Sequence, residues 1–140
     1  MSQTKAMRIM ELVVAMRYLT GIYALNVPSS LDADGDWHAS ALDWTRARTR
    51  DSADALFGEW GIEEQSVPTL GMMPVANTVR ALLDLLEEGR YGLARGMRDE
   101  LIANEEYTPL VFALVMQMKC LPNWDEIDRF MGRVEIPTCG

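Results

Sequence analysis

The chain has 140 residues, of which 49% are hydrophobic and 24% charged. That is ordinary globular composition and excludes a disordered tail or a low-complexity linker. Thirteen basic against twenty-one acidic residues leave a net charge of −8, which disfavours direct binding to nucleic-acid backbones, a task that needs clustered Lys and Arg. One domain spanning 1–140 is the expected organisation.

Residues 5–25 read as the first helix, with Met7, Met10, Val14, Tyr18, Gly21 and Leu25 on one stripe. Pro28 ends it, because the residue before a proline avoids helical backbone angles. The segment 26–73 reads as long and irregular, broken by Pro28, Gly35, Gly58, Gly61, Pro68 and Gly71. Within it one short helix is expected from Ser52 to Trp60, and a brief extended piece from Ala39 to Trp44.

The C-terminal half is more regular. Pro74 suits the first turn of a helix in which Val75, Val79, Leu82, Leu83 and Leu86 share a face and Gly89 supplies a left-handed cap. A second helix is expected over 91–103. Thr108-Pro109 opens a third, over 109–121, that is apolar nearly all round and so belongs at the centre of a bundle. Pro122 stops it, and Asn123 caps a last helix with Asp125 and Glu126 in its first turn. These elements predict a mainly α fold: a bundle of about six helices around the 109–121 segment.

Cys120 falls in the apolar helical pattern and Cys139 beside the last residue. They read as a buried thiol and a loose terminal thiol rather than a disulfide scaffold. The longest unbroken apolar run, Leu110 to Met116, is too short for a membrane span. A cytoplasmic protein with no membrane partner is expected.

Few residues invite chemistry. Asp32, Asp34, Asp36 and Asp43 stand at positions 1, 3, 5 and 12 of a calcium-loop spacing. Trp37, however, occupies the position where the sharp turn wants glycine. An Asp/Gly turn whose carboxylates bond their own backbone explains the run more simply. The one histidine, His38, has no nucleophile elbow near it. Phosphate-loop, dinucleotide and metalloprotease motifs are absent from the sequence. The expectation is a protein without cofactor, with a small metal-dependent enzyme or ion-binding protein using the Asp32–Asp43 segment as the alternative.

The remaining signals point to a protein partner. Trp37, Trp44 and Trp60, with Met72 and Met73, supply large anchors for a recognition patch. Arg46, Arg48 and Arg50 alternate, so an extended backbone would project all three from one face, toward an acidic partner or toward acids of this chain. Glu63 and Glu64 add local acidity. The charge is uneven: residues 1–50 carry six bases and five acids, net +1, and residues 51–140 carry seven and sixteen, net −9. An acidic helical surface suits a basic partner such as a nuclease or other nucleic-acid-handling protein. Small size, acidity and missing catalytic motifs are shared with immunity proteins, antitoxins and anti-CRISPR-like inhibitors. The expected function is therefore a non-enzymatic module that binds and neutralises or regulates a protein.

Overall fold

The computed structural model describes residues 16–27, 43–95, 98 and 105–132. Its centre is a four-stranded mixed sheet with helices against it, which overturns the all-helical bundle. In chain order the elements are β1 (Arg17–Leu19), α1 (Gly21–Ala24), β2 (Thr49–Asp51), β3 (Ile62–Val67), β4 (Gly71–Ala76), α2 (Thr78–Glu87), α3 (Thr108–Met116) and α4 (Trp124–Met131). Short 3₁₀ turns lie at Trp44–Arg46 and Ser52–Asp54, and residues 91–95 are helical. The strand order is β2-β1-β4-β3. β1 runs antiparallel to β2 and parallel to β4, while β3 and β4 form an antiparallel hairpin.

Within the first expected helix, Arg17–Leu19 is a strand, and only Gly21–Ala24 beyond it is helical. Tyr18 and Leu19 are both fully buried, one on each face of the sheet, and Gly21 follows at a φ of +64° that no continuous helix admits. The rest of that expected helix, 5–15, lies outside the described residues. The helix expected from Ser52 to Trp60 is only the 3₁₀ turn at Ser52–Asp54, followed by further turns. Pro74 does not open a helix. It sits within β4 opposite Glu64. β1 runs alongside β4 only at Leu19–Val75, so at Pro74 the strand has one ladder rather than two, and a missing N–H is tolerated.

α2 starts at Thr78, four residues later than the proline suggests. Asn77 is its cap, the side-chain oxygen accepting from Arg80 N at 2.8 Å. Its end matches the glycine signal: Gly89 has a φ of +76°, its N–H donates to Leu86 O, and Arg90 N–H donates to Leu85 O. Those are the paired bonds of a Schellman close.

The central helix is α2, not the 109–121 segment. Every residue from Thr78 to Leu86 is buried. α3 keeps only Val111, Leu114 and Val115 inside, and Ala113 is exposed. What disguises α2 is its polar pair. Arg80 and Asp84 look like a solvent face, yet both are fully buried and their side chains meet at 2.9 Å. Tyr18 Oη and Thr20 Oγ1 each donate to Asp84 Oδ2 at 2.6 Å. Arg80 Nη2 donates to Tyr18 Oη at 2.9 Å, and Nη1 to the Trp60 carbonyl. Arg50 of β2 reaches Asp84 at 3.4 Å and Glu87 at 3.1 Å. The helix is thus pinned to β1, to β2 and to the entry of β3 by one charged knot, in which Arg50 Nη1 makes its ion pair to Asp84 without a hydrogen bond.

Cys120 is exposed and disulfide-bonded, which corrects its reading as a buried thiol. Cys139 lies outside the described residues. Among the described residues no helix is long and apolar enough to cross a membrane.

Candidate functional site

The β3–β4 hairpin gathers four of the residues singled out in the sequence: Glu63, Glu64, Met72 and Met73. Trp60 stands just before it. The register decides which way each points. Ser66 pairs with Met72 and Glu64 with Pro74, so these four share one face. Gln65 pairs with Met73 and Glu63 with Val75, and these share the other. Val75 and Val67 are buried and Met73 packs against the core, so the second face is the inward one. Met72, Ser66 and Glu64 are exposed on the outward face.

The two adjacent methionines therefore have opposite fates, and only Met72 contributes to a surface patch. It is 66% exposed, and Leu70 in the connecting turn is 45% exposed. The turn is closed by Leu70 N–H donating to Val67 O at 3.1 Å. Pro68 presets the backbone at its second position, and Thr69 then takes a φ of +63°. A β-branched residue there is strained. The tip is thus a tight turn presenting apolar side chains to water, next to an acid. β3 is a sheet edge among the described residues, so its outer backbone groups are open to pairing.

Trp60 is 37% exposed, and its carbonyl is held by Arg80. Gly61 follows at a φ of +75°, and a Cβ there would come within 2.8 Å of Arg80 Cβ. The base of the hairpin is therefore locked to the buried charged knot, while its tip projects. Glu63 Oε1 accepts from Gln65 Nε2 at 2.9 Å.

The other sequence candidates lie elsewhere. Trp44 is half-buried and packs edge-on to Tyr23 with ring centroids 5.6 Å apart. The structure does not join it to Met72. Trp37, His38, Asp32, Asp34 and Asp36 lie outside the described residues. The three arginines do not form one free face. Arg48 pairs with Glu88 and Arg50 with Glu87 and Asp84, while Arg46 is exposed beside Asp43 at 3.8 Å. Asp43 caps the Trp44–Arg46 turn, accepting from both the N–H and the hydroxyl of Thr45, and these bonds hold its carboxyl below the usual range. Among the described residues no group of three His, Cys, Asp or Glu side chains is placed to hold a metal ion.

Sequence reasoning also passed over a second feature. A cleft of about 670 Å³ lies between residues 91–95 with Arg98 on one side and α4 on the other, lined by Tyr91, Arg95, Arg98, Glu126, Arg129 and Phe130. The signal was present as Tyr91, Arg95 and Arg98 at i, i+4 and i+7, and Glu126, Arg129 and Phe130 at i, i+3 and i+4, each set on one helical face. A mixed sheet backed by a polar-knotted helix defines the class of fold. Comparisons with protein-family models, curated proteins and solved structures find no match for this chain.

Proposed function

We propose that this is a non-enzymatic binding protein that docks a basic protein partner on the tip and outward face of the β3–β4 hairpin, and neutralises or regulates it. The observation that carries this reading is the exposure of Met72 and Leu70 at a strained turn, with Glu64 on the same face of an edge strand. Large apolar side chains held in water by a rigid scaffold are the material of interface anchors. The open edge of β3 accepts an extended segment by backbone pairing, and the acid beside it selects a basic one. The net charge of −8 draws the same partner from a distance. Nucleases and other nucleic-acid-handling proteins have that chemistry.

The test is capture of partners by the tagged full-length chain, run beside Met72→Arg and Leu70→Asp. A basic protein held at one-to-one stoichiometry by the wild type and lost from both variants supports the proposal. Capture that ignores both substitutions, or no stoichiometric partner at all, overturns it. The cytoplasmic location expected for such a partner stands against the Cys120 disulfide, a bond that persists mainly in oxidising compartments. Fractionation of the native protein decides between them.

A further inference from the structure

The cleft between Tyr91, Arg95 and Arg98 on one side and α4 on the other has a charge opposite to that of the chain as a whole. In a chain of net charge −8 it is lined by three arginines against one carboxylate. The carboxylate is already engaged: Glu126 accepts from the Tyr91 hydroxyl at 3.0 Å, and that hydroxyl accepts in turn from Asn123 Nδ2 at 2.8 Å. Arg98 is fixed in place, its Nη1 donating to the Phe130 carbonyl at 2.6 Å and its guanidinium lying 4.9 Å over the Phe130 ring. Arg95 and Arg129 are exposed, and among the described residues neither side chain has an ion-pair or hydrogen-bond partner.

Two uncommitted guanidiniums and a third held over an aromatic ring call for a ligand with at least two negative charges. A single carboxylate carries one, whereas a phosphate group carries nearly two at neutral pH and matches the guanidinium fork with paired acceptors. The cleft's size is that of a small-molecule site. We propose that it binds a small phosphorylated anion, with Arg95 and Arg129 clamping the phosphates and Arg98 completing the cradle. This is independent of the hairpin.

Titration calorimetry of the full chain with inorganic pyrophosphate and with ADP tests the proposal. Pyrophosphate and ADP binding alike point to the phosphates as the whole of the recognised group. Tighter ADP binding adds a contribution from Tyr91 or Phe130. In either case Arg129→Gln should weaken binding about tenfold, the loss expected for one charge-assisted contact, and Arg95→Ala with Arg129→Ala should abolish it. Both positions are exposed, so the thermal melts of these variants should match the wild type. Failure of both ligands to saturate, or an affinity unchanged in the double variant, overturns the proposal.

Discussion

Asp84 is fully buried, accepts two hydroxyl hydrogen bonds and pairs with two arginines. Its replacement by leucine strands Arg80 in the interior, so urea unfolding should show a loss of about 3–5 kcal/mol. Tyr18 reports on the same knot through pH. Burial first, and the neighbouring Asp84 second, push its phenol above the ordinary value of 10.0. The folded protein therefore holds this proton more tightly than the unfolded chain. The resulting stability is complete below about pH 10 and declines as the pH climbs toward the raised native value. Unfolding free energies measured from about pH 9 to about pH 11 should fall more steeply for the wild type than for Tyr18→Phe. At the hairpin tip the strain on Thr69 sets a prediction of opposite sign. Thr69→Gly relieves the left-handed backbone and should raise stability by up to about 1 kcal/mol, the gain being reduced by glycine's greater freedom in the unfolded chain.

Elements were legible where local rules and tertiary demands agree. α2 and α4 announce themselves by spacing, and Gly89 and Gly132 close them with φ values of +76° and +92°. The sheet was not legible, because its strands are short or interrupted. β1 and β2 have three residues each, too few for alternation to show, and Tyr18 and Leu19 fall on a helical stripe as readily as in a strand. Pro68 and Gly71 read as loop and Pro74 as the start of a helix, yet the first two build a hairpin turn and the third sits in β4 at a point where that strand has one ladder. The candidate site was half visible for the same reason. Met72 and Met73 looked equivalent until the register separated them, since a strand sends neighbours to opposite faces. The element hardest to alter should be the hinge of this hairpin. Gly61→Ala adds a left-handed penalty of roughly 1–2 kcal/mol to a contact of 2.8 Å with Arg80. A loss of at least about 2 kcal/mol by chemical denaturation is expected, with Gly71→Ala, which meets no neighbour within 4 Å, costing only the backbone term.

At the scale of the whole molecule the charge imbalance acquires a geometry. The near-neutral N-terminal region does not stand apart from the acidic remainder. Arg48 and Arg50 cross to Glu88, Glu87 and Asp84 and spend their charge inside the fold. The acids left over are those without such partners, and Glu64 on the outward hairpin face is one that lies beside apolar anchors. Long-range attraction depends on total charge, but a docked contact depends on where the charge sits, because screening shortens the reach of each group to about 10 Å at moderate salt. Two substitutions that change net charge equally therefore separate the two effects. Glu64→Lys and Glu105→Lys both replace an exposed acid by a base. Stopped-flow association with the captured basic partner should slow modestly and similarly for both at low salt, since each weakens the overall field. The dissociation rate should rise only for Glu64→Lys, because only there does the reversed charge face the bound segment. Equal dissociation rates for the two variants would place the contact away from the hairpin, whatever the partner proves to be.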